Sequence, residues 1–272
     1  MGRQPVAVRG EFLDGSLMAA VEFRRVSFSA NGQTILDRLS LAIDSGETLV
    51  LLGRSGAGKT TALKMVNALV FPSAGQVLIE GRPTTSWELI ELRRSIGYVI
   101  QEVGLFPHFT VAENVGLVPR LEGWPPERVA SRTSELLQQV DLPPAEFAGR
   151  YPRQLSGGQR QRVGVARALA ADPKLLLFDE PFGALDPVTR LELQNQFLAL
   201  RERLQKTSVF VTHDVREALR LGTRIALLDR GRLETLATPE QFLRSPSPQA
   251  RAFMQVLDGE LNAKGEQPEA RP

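Results

Sequence analysis

The sequence predicts an α/β fold: a largely parallel sheet, an antiparallel β region at its N-terminal end, and an inserted helical subdomain. Residues 48–52, 175–178, 208–211 and 225–228 are short, nearly unbroken apolar runs, as strands covered on both faces require. Stretches of helical periodicity, including 60–69, 188–204 and 215–221, separate them, and this alternation favours parallel strands. Between about 104 and 165 the chain carries proline, charge and helical spacing but no convincing buried strand, so this segment reads as a helical insertion.

The antiparallel region comes first. Val21, Phe23, Val26 and Phe28 alternate as in a half-buried strand, Asn31-Gly32 is a hairpin signal, and Leu39, Leu41 and Ile43 form the returning strand. Residues 1–17 show neither periodicity, so they read as an N-terminal extension, with the main domain expected over 18–257 and starting near Met18. Residues 258–272 are polar and contain glycine and proline, and are expected to form a flexible C-terminal tail. No internal repeat is evident.

Composition removes several classes of function. Hydrophobic residues make up 42% and charged residues 24% of the 272 positions, ordinary usage for a globular chain. A formal charge of +2 gives no electrostatic case for nucleic acid, and the absence of cysteine excludes disulfides and thiolate metal sites. No apolar run approaches the ~18 residues that span a bilayer. Arg3, Arg9, Glu11 and Asp14 occupy the place of a secretory apolar segment, and Val6 breaks the myristoylation pattern after Gly2.

The strongest chemical signal follows the first buried strand. Gly53, Arg54, Ser55 and Gly56, then Ala57, Gly58, Lys59 and Thr60, spell GxxxxGK[ST] between a strand and a helix, with Thr61 continuing into that helix. Backbone N–H groups at a helix start favour polyphosphate oxygens, Lys59 adds positive charge, and the Thr60 hydroxyl is a magnesium ligand candidate. An ordinary glycine-rich turn would not need this placement. The expected ligands are therefore ATP and Mg²⁺.

Asp179 and Glu180 end another buried strand, where ligands gather in open parallel sheets. Asp179 suits a hold on Mg²⁺, and Glu180 can polarise an attacking water. Strands also end in acidic residues for structural reasons, and only the neighbouring phosphate loop favours the chemical role. His213 closes a further strand in FVTHD; alone it would more often be a packed or capping side chain.

Leu155, Ser156, Gly157, Gly158 and Gln159 form LSGGQ, in which Ser156 can cap a helix while the glycines expose N–H groups at its positive end. With GRSGAGKT, Gln101, LSGGQRQR, LLLFDE and THD in this order, the chain resembles the ATP-binding-cassette family over roughly residues 20–255. The resemblance implies a P-loop NTPase cassette. It also implies that Gln101 touches Mg²⁺ or the attacking water, that Glu180 is the catalytic base and that His213 senses the γ-phosphate. Ala184, Leu185 and Asp186 resemble the loop that communicates between paired sites. A homodimer, or pairing with another cassette subunit, is implied, with GRSGAGKT of one protomer and LSGGQ of the other enclosing each ATP. The family usually places an aromatic ring on adenine where this chain has Ala30; Phe28, two residues earlier, either substitutes for it or belongs to the core.

Residues 96–124 resemble ATPases that drive uptake of quaternary amines such as glycine betaine, choline and carnitine, and residues 150–187 resemble importer ATPases more broadly. The implied function is ATP hydrolysis driving osmoprotectant import from the cytoplasmic face of the inner membrane. Transmembrane permease subunits would be partners, an extracytoplasmic solute-binding protein an indirect one, and nucleic acid none. Alternatives are an importer of another solute, such as an amino acid or polyamine, or a soluble cassette ATPase not coupled to transport.

Overall fold

In the computed structural model, which describes residues 19–101 and 103–265, strands β1 (Val21–Ala30) and β2 (Gln33–Ile43) form the expected hairpin. Its turn places Asn31 at φ 51° and Gly32 at φ 75°, positive values that suit a two-residue connection between twisted strands. Next come β3 (Thr48–Leu52), α1 (Lys59–Val66), β4 (Ala74–Ile79), β5 (Arg82–Pro83), α2 (Leu89–Arg94) and β6 (Ile96–Val99). The 104–165 segment is helical, with α3 (Val111–Val115), α4 (Leu117–Leu121), α5 (Pro126–Gln139), α6 (Pro144–Phe147) and α7 (Gly157–Leu169). The chain returns through β7 (Leu175–Asp179), α8 (Pro187–Leu204), β8 (Thr207–Thr212), α9 (Val215–Leu221), β9 (Arg224–Asp229) and β10 (Arg232–Ala237), ending in α10 (Pro239–Leu243) and α11 (Pro248–Gly265).

Two sheets result. The antiparallel one has the order β2-β1-β4-β5, and the larger one β10-β9-β3-β8-β7-β6, parallel except for its edge strand β10. The apolar runs follow from the two-sided cover of the larger sheet. Leu49, Leu51, Leu175, Leu177, Val209 and Val211 face the antiparallel sheet and α1, whose Ala62, Leu63, Met65 and Val66 lie in the same core. Their neighbours Val50, Leu52, Leu176, Phe178 and Phe210 face the opposite core, shared with α7, α8 and α9. A strand buried on both sides cannot alternate with polar residues, and these do not.

The structure departs from expectation in particular places. The helix expected over 60–69 stops at Val66, because Ala68 takes φ 52° and turns the chain towards β4. The segment from Asp258 is not irregular at its start: α11 continues to Gly265, through Glu260, Leu261, Ala263 and Lys264, all good helix formers. The extension 1–17, the boundary near Met18 and residues 266–272 lie outside the described residues.

Beneath the carboxyl ends of β7 and β8, Phe178 stacks on Phe210 with ring centroids 4.1 Å apart, and Phe197 of α8 meets both edge-on. Phe210→Ala is expected to cost ~3–5 kcal/mol, the usual range for deleting a buried aromatic ring. The check is urea unfolding, where the midpoint should fall without a change in slope.

Candidate functional site

Strand register gathers the motif residues at one edge of the larger sheet. Leu52 pairs with Thr212, and Asp179 pairs with Val211, so Gly53, His213 and Glu180 each lie one step beyond neighbouring strand ends. Gln101 follows β6 at the same edge, next to β7, and is exposed.

The phosphate loop needs its glycines for space. A Cβ on Gly53 would lie 2.4 Å from the Leu228 carbonyl oxygen, and one on Gly58, at φ 94°, would lie 2.7 Å from a Leu36 methyl. Arg54, Ser55 and Gly56 are exposed, Ala57 to Lys59 are buried, and Thr60 and Thr61 lie between these extremes. Although Lys59 is only 5% exposed, its ammonium donates to the carbonyls of Gly53 at 2.8 Å and Arg54 at 3.0 Å. Burial lowers its pKa, while Glu180 and Asp179 oppose that shift. The cation is thus held within the loop by weak neutral acceptors.

The Thr60 hydroxyl donates to Asp179 Oδ1 at 2.8 Å. Burial raises the Asp179 pKa, chiefly against the Thr60 hydrogen bond, with Lys64 and Lys59 opposing and Glu180 adding to the rise. Tyr98 on β6 also hydrogen-bonds Asp179, and burial followed by that carboxylate pushes the phenol pKa up. Sequence reasoning missed Tyr98; a tyrosine within the run IGYVIQ, one residue short of the strand end, is the available signal.

Glu180 has φ 45°, a left-handed conformation costing on the order of 1–3 kcal/mol for such a residue. Its N–H donates to the Val211 carbonyl at 3.0 Å, and its Oε2 lies 3.2 Å from His213 Nδ1. The strained backbone therefore aims the carboxylate at the histidine. Lys59, Thr60, Asp179, Glu180 and His213 form one connected site.

LSGGQ forms a separate surface. Ser156 caps α7 in a reciprocal box with Gln159: the Gln159 N–H donates to Ser156 Oγ at 3.2 Å, and the Ser156 N–H donates to Gln159 Oε1 at 2.9 Å. The neighbours of Gly157 and Gly158 are Leu185 and Thr189, around the α8 N-terminus, which Asp186 caps. Among the described residues, no hydrogen bond or ion pair joins LSGGQ to the phosphate loop of the same chain. Phe28 packs against the core beneath the antiparallel sheet, and Ala30 is half-buried at the end of β1.

The donor set suits Mg²⁺ bound together with a nucleotide. Thr60 and Asp179 offer only oxygen, the magnesium preference, and buried Asp179 lacks a full countercharge. Among the described residues there is no cluster of three or more acidic, histidine or cysteine side chains that could hold a metal ion.

A family model described as ABC transporter matches residues 36–183, more than half of the chain. The chain belongs to the ABC transporter family. It is 51% identical over 212 residues to the osmoprotectant import ATP-binding protein OsmV of Salmonella typhimurium, covering 78% of this chain. It is 50% identical over 216 residues to the choline transport ATP-binding protein OpuBA of Bacillus subtilis, covering 79% of this chain. The match takes in 56% of each of these relatives, so the chain spans little more than half their length. Among solved structures it resembles the ATP-binding cassette MJ0796, in a dimeric post-hydrolysis state bound to ADP and Pi. The TM-score is 0.72 at 35% identity, over 80% of this chain and 98% of that one.

The raised pKa of Asp179 fixes the sign of a pH effect. Its folded form holds the proton more tightly than the unfolded chain, so that stability is present below the ordinary aspartate range and lost as pH rises through the folded pKa. Asp179→Asn in this cassette keeps an acceptor for Thr60 without the charge. Without nucleotide, its melting temperature relative to wild type should be higher at about pH 7 than at about pH 4. An equal difference at both values would contradict the burial assignment.

Proposed function

We propose that this chain hydrolyses ATP with magnesium and thereby powers import of quaternary amine osmoprotectants. The observation carrying the reading is the convergence of Lys59, the Thr60–Asp179 pair and the Glu180–His213 pair at one sheet edge. Lys59 and the loop N–H groups hold the polyphosphate. Thr60, Asp179 and Gln101 are assigned to the metal, which when bound neutralises developing phosphate charge. Glu180 accepts a proton from the attacking water, and His213 orients that carboxylate and contacts the terminal phosphate.

A second copy supplies LSGGQ in this reading. Since the Ser156 hydroxyl and the Gln159 side chain serve the α7 cap, the N–H groups of Gly157 and Gly158 are the natural donors to a phosphate bound by the partner. No helix among the described residues is long and apolar enough to cross a membrane, so membrane permease subunits must supply the path. The cassette docks on their cytoplasmic side, with a solute-binding protein engaged through them. The quaternary amine assignment is supported by the names and identities of the osmoprotectant and choline relatives.

Two predictions follow from these roles. Glu180→Gln should bind ATP with little change but hydrolyse it ~10²–10⁴-fold more slowly, whereas Lys59→Ala should lose affinity as well as turnover. Steady-state hydrolysis and nucleotide titration separate the two, and near-normal turnover by Glu180→Gln would remove its assignment as base. In cells lacking the gene, the wild-type chain should restore uptake of labelled glycine betaine, choline or carnitine, and Lys59→Ala should not. Restoration of amino acid or polyamine uptake instead would reassign the solute.

A further inference from the structure

Behind His213 lies a buried polar chain that none of the roles above uses. Glu217, on the first turn of α9, is 6% exposed, and its carboxylate accepts from two sides. Gln194 Nε2 of α8 donates to Oε1 at 3.3 Å, and the Thr212 hydroxyl donates to Oε2 at 2.6 Å. Thr212 Oγ1 in turn accepts the Asp214 N–H at 3.0 Å. Thr212 and Asp214 flank His213, so one hydroxyl closes the turn that carries the imidazole.

The direction of the Thr212 proton matters. Donating to Glu217 leaves the hydroxyl lone pairs free for the Asp214 N–H, so the carboxylate sets the hydroxyl rotor. Without that acceptor, the buried hydroxyl would seek another partner, at ~1–3 kcal/mol for an unsatisfied group, and the turn would lose its fixed geometry. Burying a carboxylate is itself costly, and burial raises the Glu217 pKa against the Thr212 hydrogen bond. An apolar residue would fill this position more cheaply. The same helix face also holds the neighbouring loop: Arg190, four residues before Gln194, donates to the Leu185 carbonyl at 3.1 Å and lies 3.9 Å from Asp214 Oδ2.

We propose that Glu217 is a positioning residue: through the Thr212 hydroxyl it fixes the 212–214 turn so that His213 Nδ1 stays against Glu180. Gln194 ties this turn to α8, whose N-terminus begins at the Ala184–Asp186 loop. This inference rests on the reading of the chain as an ATPase with Glu180 as base.

The test compares Glu217→Leu, Glu217→Gln, Thr212→Val and Thr212→Ser in the full chain. Glu217→Leu and Thr212→Val should lower kcat at least about tenfold with KM within about twofold, the pattern of a lost transition-state arrangement. Glu217→Gln and Thr212→Ser, which keep the acceptor and the hydroxyl, should restore most of the rate. In a His213→Ala background, Glu217→Leu and Thr212→Val should have little further effect, because the interaction they support is already gone. Independent, multiplicative losses in that background would overturn the proposal. Should Glu217→Leu fail to fold, the nearly isosteric Thr212→Val carries the test.

A second readout needs no activity. The chain has two histidines, so the imidazole resonances of His213 and His108 can be assigned against His213→Ala. Thr212→Val should shift the His213 signal and leave His108 in place; an unmoved His213 signal overturns the proposal. A wild-type chain without ATPase activity would sink the functional reading, while the resonance would still decide the positioning.

Discussion

The 2.8 Å hydrogen bond from Thr60 to Asp179 crosses the sheet: β8 lies between β3, which leads into the phosphate loop, and β7, which ends in the carboxylate. The loop must therefore arch over an intervening strand end. Gly53 and Gly58 permit this, since side chains there would strike the Leu228 carbonyl or Leu36. The parallel register brings the partners level, and two-sided burial of the strands holds that register. Pattern, sheet order and site are thus one constraint expressed at three scales.

The site carries two local costs. Asp179 is a buried carboxylate whose nearby cations do not fully offset desolvation, and Glu180 sits at φ 45°. Neither suits a strand end selected for stability alone. Both become intelligible where a cation and a polyphosphate bind, because these supply the missing charge and use the aimed carboxylate. The Phe178, Phe197 and Phe210 cluster directly below provides the rigid support such a site requires. Helix α8 touches the aromatic core, the Leu185 carbonyl and the turn that carries His213, so it joins the site's supporting elements.

Much of this was legible in the sequence because it depends on local pattern. The buried strands at 48–52, 175–178, 208–211 and 225–228, the Asn31-Gly32 turn and the α9 range appear where periodicity placed them. The short strands β4, β5 and β10 were not foreseen. Gly75 in β4 adopts φ 76° where a Cβ would meet the Arg25 carbonyl oxygen at 2.3 Å, so β4 is specified by close approach to β1 and not by an apolar period. The loop, the strand-end carboxylates and His213 were readable as motifs, but Tyr98, Thr212 and Glu217 were not. Their roles come from register and from long-range hydrogen bonds, such as Gln194 to Glu217, that no local pattern encodes. Phe28, left open between core and base contact, packs with the core beneath the antiparallel sheet.

In the proposed function the Thr60–Asp179 pair is one half of a magnesium–phosphate site. The most direct measurement is calorimetric titration of the wild-type chain with ATP, with and without Mg²⁺, repeated with Asp179→Asn. Magnesium should tighten wild-type binding at least about tenfold, ~1.4 kcal/mol, and most of this gain should vanish in Asp179→Asn. Equal affinities with and without the metal in the wild-type chain, or an undiminished gain in the variant, would contradict it.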